Sequence, residues 1–240
     1  MCEFLTHIIR FGHYRAVSPD RFRNAVTALA KKYDHPLPPG LFNFGEDGQS
    51  LNQLAAIRFG AGRGLGRIDA IGSEATALLD SVAQQITDMF REEQELPVTD
   101  RQYRGEVTAV RVDSLHQYQV RRIVLAKPSG GGRSKKADQQ RQWLENHPND
   151  KSGIAAIIKT KIHDGLVAQA TAFGIALPDD FLLGAIDVDS IGPIPFTGRE
   201  SRGIIAKKTT FQSNLKLTGP WHVGYLQTRG YGLINQDQQN

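Results

Sequence analysis

The chain has 240 residues, of which 40% are hydrophobic, and this is enough apolar material to bury a core in one large domain or two small ones. Its single cysteine, Cys2, has no partner for an intrachain disulfide, so a reducing compartment is favoured and the sequence predicts a cytoplasmic protein. No apolar run approaches the ~20 residues that cross a bilayer, and the sequence therefore predicts no membrane partner.

Charge is distributed unevenly along the chain. Residues 1–100 hold ten Lys and Arg against thirteen Asp and Glu, whereas residues 101–240 hold nineteen against twelve. A local excess of positive charge attracts phosphates, so we expect an anionic partner to bind the second half. Scatter in solvated surface charge is an equally good explanation on composition alone.

The first half of the sequence predicts the order β-α-β-β-α-β. Ser18 with Pro19 has the pattern of a helix start, and Ser73 opens a second run with helical spacing of apolar residues. The four strand-like runs are residues 3–11, 54–59, 65–71 and 103–112. This order is the ferredoxin-like unit, which is also the scaffold of the RRM class of RNA-binding domains.

The second half begins in the same way and then departs. Residues 116–127 alternate like a strand, and residues 154–173 have the spacing of a long amphipathic helix that ends at Gly174. The polar stretch between them predicts an exposed loop and a short basic helix. Strands are predicted at 182–191, 203–219 and 221–226, with no second long helix between them.

The sequence therefore predicts an α+β fold of tandem ferredoxin-like, RRM-like units. The predicted first unit comprises residues 1–113 and the predicted second unit comprises residues 114–240. The second unit is a modified copy, with a basic helical finger inserted near residues 130–150 and a glycine-rich loop at its C-terminal end.

The glycines at residues 60–66, GAGRGLG, have the letters of a dinucleotide-binding turn. A strand-like run follows Gly66, and the next helix begins only at Ser73, so a bound phosphate would not meet a helix N-terminus. A β-hairpin turn with exposed Arg63 and Arg67 is the favoured interpretation. The alternative is a nucleotide-dependent enzyme, which would bind a mononucleotide and be indifferent to RNA.

A second glycine cluster, GPWHVGYLQTRGYGLINQ, lies at residues 219–236. Glycine permits close approach of a backbone, and interleaved aromatic and arginine side chains can stack on bases or pair with phosphates. The cluster is consistent with a nucleic-acid ligand, and also with a last hairpin whose Trp and Tyr simply pack.

The C-terminal phrase, an aromatic residue then Gly and a few residues later Arg-Gly-Tyr-Gly at residues 229–232, resembles the glycine-rich loop of the RAMP superfamily of CRISPR-associated proteins. Within it, the chain is most similar to the enzymes that cut the repeat of precursor CRISPR RNA, especially those of type IV systems. The similarity extends to residues 12–26, 56–68, 173–181 and 187–195. The tandem ferredoxin-like architecture of that family agrees with the element order.

The resemblance implies a metal-independent endoribonuclease that cuts the repeat hairpin. In such a reaction the ribose 2′-hydroxyl attacks the adjacent phosphate, leaving a cyclic phosphate and a free 5′-hydroxyl. The chemistry needs a base, a proton donor and cations that face the phosphorane. The resemblance further implies that the enzyme stays bound to the mature crRNA with other CRISPR effector subunits, whereas a noncatalytic crRNA-binding subunit is the alternative.

Relatives take these groups from the first strand-to-helix region. The corresponding residues here are His13, Tyr14, Arg15, Arg21 and Arg23. His13 is the expected base because histidine titrates near neutrality, and Arg23 and Arg229 are expected to stabilise the transition state. His35 is the rival base.

Further RNA contacts are predicted from basic and glycine residues. The run at residues 133–141 places several cations on the finger, where they could contact phosphates and 2′-hydroxyls of an A-form stem. Arg121 and Arg122 should point to opposite faces of a strand, so at most one meets the RNA from that sheet. The predicted RNA-binding residues are Tyr14, Arg15, Arg121, Arg133, Lys135, Lys136, Arg141, Gly224, Gly230, Tyr231 and Gly232.

Neither a metal nor a cofactor is predicted. The seven histidines are scattered, and no Cys/His or His/carboxylate cluster has ligand spacing. Asp187 and Asp189 share one strand face, but nothing nearby in sequence completes a coordination shell, so a structural role is expected.

Overall fold

A computed structural model describes residues 1–12, 17–44, 54–93, 97–127, 134–194, 202–227 and 230–236. The chain forms two compact units. The first contains the described residues of 1–107 together with Ala172–Ile175 and Gly230. The second contains those of 108–171, 176–227 and 231–236.

The first unit has the predicted β-α-β-β-α-β order. Its elements are β1 (Glu3–Phe11), α1 (Pro19–Lys32), a 3-10 turn (Pro39–Phe42), β2 (Ile57–Gly62), β3 (Leu65–Ile71), α2 (Ser73–Glu93) and β4 (Val98–Glu106). All strand pairs are antiparallel, in the order β2-β3-β1-β4. This is the ferredoxin-like arrangement expected from the sequence.

Helix α1 begins as its sequence predicts. The Ser18 hydroxyl accepts a hydrogen bond from the Arg21 backbone N–H at 3.3 Å, and Pro19 occupies the first turn. The apolar faces of α1 and α2 pack on one face of the sheet, where Leu5, Ile9 and Phe22 are buried. This face is the hydrophobic core of the first unit.

Residues 60–66 form a hairpin, and β3 continues from Leu65 to Ile71 with no helix after Gly66. Gly64 at the turn has φ +67°, a conformation that favours glycine. The helix at Ser73 begins only after β3 ends. This geometry is a β-turn and lacks the strand-to-helix turn of a dinucleotide site.

The opposite face of the first sheet carries a charged cluster that the sequence did not suggest. Asp69 on β3 accepts hydrogen bonds from Arg67 Nε at 2.8 Å and from the Thr6 hydroxyl at 2.5 Å. Arg58 stands opposite Asp69 in the β2–β3 register and is fully buried. Burial lowers the pKa of Arg58 to about 10, so this guanidinium remains charged at neutral pH. The buried carboxylate of Asp69 therefore interacts with the positive charges of both Arg67 and Arg58.

His7 gives the first unit a dependence on pH. Its side chain is buried, with Nε2 2.9 Å from the Thr87 hydroxyl, and burial lowers its pKa from the ordinary 6.5. Because the unfolded chain takes up a proton more readily below pH 6.5, the free energy of unfolding is highest above that pH. It falls as the pH drops through the folded pKa, by at most about 1.4 kcal/mol per pH unit.

We therefore expect His7→Gln, which can keep the contact with Thr87, to reduce the acid sensitivity of unfolding. Urea unfolding of both proteins between neutral and mildly acidic pH measures the difference. His35→Gln is the control, because His35 is exposed. Parallel pH profiles for the wild type and His7→Gln would contradict the assignment.

The second unit repeats the strand order of the first, but its helices lie at different places along the chain. Its elements are β5 (Thr108–Ala126), α3 (Lys135–Asn146), α4 (Lys151–Phe173), β6 (Leu183–Val188), β7 (Ile191–Ile194), β8 (Gly203–Thr218) and β9 (Ile234–Gln236). The sheet order is β6-β8-β5-β9, antiparallel throughout, with β7 also paired to β8. Both helices lie between β5 and β6, and the described residues between β8 and β9 contain no α-helix, so this is the modified copy that the sequence predicts.

Three predicted strands need correction. The run at 103–112 is divided between β4 and β5 at Val107, whose N–H bonds the carbonyl of Cys2, and the run at 182–191 is divided between β6 and β7. Residues 221–226 are not a strand, because Gly224 and Leu226 have φ of +79° and +59° and interrupt extended pairing. The apolar residues at these positions suggested a strand, but they lie in a segment of irregular backbone and are buried there.

Helix α4 ends as predicted, at Gly174 with φ +62°. Its buried face includes Ile158, Ile162 and Leu166. In the described part of the chain, no helix is long and apolar enough to cross a membrane. The same residues contain no group of three or more His, Cys, Asp or Glu side chains arranged to hold a metal ion.

Candidate nucleic-acid interface

The glycine-rich segment, which we define as residues 219–233, contains glycines at positions where a Cβ would collide with backbone atoms. Gly230 has φ +72°, and a Cβ placed on it would lie 1.6 Å from the carbonyl oxygen of Phe59 on β2. Gly232 has φ +75°, and its Cβ would lie 1.8 Å from the carbonyl oxygen of Val223. Close backbone approach therefore sets the path of the segment.

Much of the part of the segment that belongs to the second unit is buried. Trp221, Val223 and Tyr231 are each at most 1% exposed. The Trp221 indole N–H donates to the carbonyls of Thr108 and Thr218, and Tyr231 packs with Val124. The Tyr231 ring is therefore not accessible to a stacking base. This burial does not fit the RNA contact that the sequence predicted for this side chain. Its burial stabilises the segment instead.

Residues 224–227 of the segment are partly exposed. The Tyr225 backbone N–H donates to the carbonyl of Val124 at 3.1 Å, and the Gln227 amide donates to the carbonyl of Gly224 at 3.1 Å. Lys161 from α4 donates to the Tyr225 hydroxyl at 2.8 Å. The Lys127 ammonium, just after β5, lies 5.3 Å from the centre of the same ring. The ammonium groups of Lys161 and Lys127 thus lie close to the glycine-rich segment at Tyr225.

Arg23 lies in the first unit with its guanidinium engaged by the protein. Its Nη2 donates to the carbonyl of Phe42 at 2.8 Å, and its guanidinium lies 5.7 to 6.0 Å from the ring centres of Phe42, Phe44 and Phe59. The side chain is partly exposed. These contacts give Arg23 a structural function, and a direct role in catalysis stays a prediction.

Five predicted site residues lie outside the described residues: His13, Tyr14, Arg15, Arg133 and Arg229. Among the other candidates for the first strand-to-helix region, Arg21 is exposed on α1. The rival base His35 is exposed just after that helix. Their catalytic roles also stay predictions.

The basic finger corresponds to α3. Lys135 and Lys136 are exposed at its N-terminal end, next to the cap residue Ser134. Arg141 is used differently: its Nη1 donates to the carbonyls of Lys127 and Arg202 at 2.9 Å, and its Nη2 is 2.7 Å from Glu145. The two lysines are thus available to an anion, while Arg141 holds α3 against the strand ends.

Arg121 lies exposed on β5, directly opposite the exposed Lys208 on β8. Its Nε donates to Gln119 on the same face of the sheet at 2.9 Å. Arg122 has φ +59°, so the strand is irregular where the two arginines adjoin. The sheet therefore offers a pair of cations from neighbouring strands, of which the sequence singled out one.

A family model described as "Type IV CRISPR-associated endonuclease Csf5" matches residues 6–239. The chain belongs to this family. A comparison with curated protein sequences finds no match. Because the model spans residues of both units, membership concerns the whole fold and is not confined to the glycine-rich segment.

Solved structures of CRISPR RNA-processing proteins resemble the Csf5-family fold seen here. One, named "Csf5, CRISPR-Cas type IV Cas6 crRNA endonuclease", is 18% identical, with a TM-score of 0.69 over 97% of this chain and 99% of its own. A Cas6b structure is 15% identical, with a TM-score of 0.66 over 98% and 100%. A "CRISPR RNA processing endoribonuclease Cas6b" is 13% identical, with a TM-score of 0.57 over 98% and 99%. At these identities the likeness establishes the shared fold.

Two lysines of the candidate interface, Lys127 and Lys161, were not among the residues that the sequence predicted for this family member. Lys161 belongs to a helix whose apolar face dominated its pattern, and Lys127 is the last charged residue before the glycine run at 130–132. Only the fold brings them to Tyr225. A lysine beside an apolar helical face is too common a pattern to predict the contact between Lys161 and Tyr225.

Proposed function

We propose that this protein cleaves the repeat hairpin of precursor CRISPR RNA without a metal ion and remains bound to the mature crRNA in an effector complex. The attacking group is the ribose 2′-hydroxyl at the cut site. The products are a 2′,3′-cyclic phosphate and a 5′-hydroxyl. The observation that carries the proposal is the match of residues 6–239 to an endonuclease family.

The arrangement of charge supports an RNA substrate. The exposed Lys135 and Lys136 on α3, and the pair Arg121 and Lys208 on neighbouring strands, present cations on the second unit. Protein groups of this kind bind phosphate oxygens of an A-form stem, whose deep, narrow major groove conceals the base edges. Recognition of hairpin shape and backbone is therefore expected to dominate affinity.

We propose His13 as the general base and Arg23 with Arg229 as the groups that stabilise the phosphorane. Histidine can accept the 2′-hydroxyl proton near neutral pH, while the permanently charged guanidinium groups offset charge that develops on the phosphate. The rival base is His35. Retention of single-turnover cleavage by the His13→Ala, His35→Ala double variant would remove histidine from the mechanism.

A noncatalytic crRNA-binding subunit is the second candidate. The contacts of Arg23 favour it, since a guanidinium already bound to the carbonyl of Phe42 and surrounded by phenyl rings has fewer donors to offer a substrate. The two candidates share fold and surface charge. They differ in whether the RNA is cut.

The deciding experiment incubates the purified protein with labelled repeat hairpin in excess EDTA under single-turnover conditions. We expect one cut at the hairpin, with a cyclic phosphate on the upstream product and a hydroxyl on the downstream product. Removing the 2′-hydroxyl at the mapped cut site should abolish cleavage, because the nucleophile belongs to the substrate.

The matched control is the same RNA with the 2′-deoxy substitution one nucleotide further upstream, which should be cut normally. Binding without cleavage would establish the noncatalytic alternative. Cleavage that EDTA abolishes, or that persists in the 2′-deoxy substrate, would contradict the proposed chemistry.

A further inference from the structure

Two ammonium groups from different parts of the second unit lie near the ring of Tyr225. Lys161 Nζ is 2.8 Å from the Tyr225 hydroxyl oxygen and 4.1 Å from the ring centre. Lys127 Nζ is 5.3 Å from the same ring centre. Each ammonium is attracted by the electron-rich ring face, so one aromatic side chain organises two cations.

Each member of this group is held by ordered structure. Lys161 belongs to the middle of α4, whose neighbouring residues Ile158 and Ile162 are buried. The carbonyl of Lys127 accepts a hydrogen bond from Arg141, and the backbone of Tyr225 is bonded to Val124. The cluster is therefore preorganised, and an incoming ligand would not have to order its backbone.

Tyr225 supplies no negative charge to the ammonium groups near its ring. Within the described part of the chain, Lys161 has no carboxylate at ion-pair distance. A phosphate group placed beside the phenol could accept charge-assisted hydrogen bonds from the lysines. Tyr225 and Lys161 are partly exposed and Lys127 is exposed, so such an anion can approach them.

We propose that Lys127, Lys161 and Tyr225 form a binding site for a backbone phosphate of RNA beside residues 224–227. The lysines contact the phosphate, and Tyr225 is a positioning residue that sets their spacing. Arg141 supports the site through the carbonyl of Lys127. The choice of RNA as the source of the phosphate rests on the proposed function, whereas the anion site itself rests on this geometry.

The test measures fluorescence anisotropy of two labelled RNAs with the wild type, Lys127→Gln, Lys161→Gln and the double variant. One RNA is the repeat hairpin made uncleavable by 2′-deoxy substitution, and the other is a short oligouridine that reports backbone binding alone. We expect each single change to weaken hairpin binding about fivefold and to reduce the slope of log Kd against log salt by about 1. The double variant should reduce the slope of log Kd against log salt by about 2.

Lys159→Gln is the matched control, because Lys159 is an exposed lysine on the same helix and its loss changes the net charge equally. Lys161→Arg should retain binding, and thermal melting confirms that each variant folds. The site is overturned if Lys159→Gln weakens binding as much as Lys161→Gln, or if neither site lysine alters affinity or slope. It is also overturned if the folded wild type binds neither RNA.

The outcomes separate this site from the proposed function. Normal cleavage by the wild type, with unchanged RNA binding by the variants, would refute the site and leave the endonuclease intact. Failure of the wild type to cut the hairpin, with weaker oligouridine binding by the variants, would refute the endonuclease and support the site.

Discussion

Gly230→Ala is expected to lower the rate of hairpin cleavage by about a hundredfold or more. The new Cβ would lie 1.6 Å from the Phe59 carbonyl oxygen and 2.6 Å from the Gly60 Cα, so backbone must move. The φ of +72° adds roughly 1–2 kcal/mol of strain for a residue with a side chain. A displacement of about 1 Å at a catalytic site can cost about a hundredfold in rate.

The measurement is single-turnover cleavage of the repeat hairpin, with unfolding by urea alongside. Gly72→Ala is the control: Gly72 also has a positive φ, of +90°, but its Cβ would have nothing within 4 Å. The Gly72→Ala protein should be less stable because of backbone strain, but it should cleave the hairpin normally. A Gly230→Ala protein that cleaves at the wild-type rate would show that close packing on Phe59 is irrelevant to the reaction.

Asp69→Ala should destabilise the protein by about 3–5 kcal/mol, the range found when one partner of a buried ion pair is removed. Asp69 is 1% exposed and its carboxylate is hydrogen-bonded to Arg67 and Thr6. Its removal also takes the opposing charge from fully buried Arg58. The energy required to keep that guanidinium out of water would then be poorly offset.

Equilibrium unfolding in urea measures this loss. The control is Asp80→Ala, which removes an ion pair with Arg104 in which both side chains are about half exposed, and which should cost less than about 1 kcal/mol. Asp69→Asn preserves shape and should fall between the two. Equal stabilities for Asp69→Ala and Asp80→Ala would contradict the buried cluster.

The fold of the first unit could be predicted because its signals are local. Ser18 caps α1, the turn at Arg63 and Gly64 joins two strands, and apolar spacing marks α2. The cluster of Arg58 and Asp69 was not predicted, although the hairpin register places the two residues opposite each other. What the sequence could not give was their burial, which depends on residues such as Phe173, far along the chain.

The glycine-rich segment was harder to predict because its residues serve two purposes. The sequence predicted that glycines 224, 230 and 232 allow close backbone approach and bind RNA; all three have positive φ, and their contact with RNA stays a prediction. It assigned Tyr231 to RNA because aromatic residues pack and stack with equal ease, and only burial distinguishes the two. Lys127 and Lys161 were missed because each is remote from Tyr225 in sequence.

The buried residues between β8 and β9 also constrain how this protein can change. Trp221, Val223 and Tyr231 are buried, and Gln169 on α4 is hydrogen-bonded to the carbonyl of Pro220 and the N–H of His222. Random mutagenesis of this stretch should therefore recover mainly insoluble proteins. Engineering of the segment should diversify residues 226 and 227 and leave Tyr225 and the buried anchors unchanged.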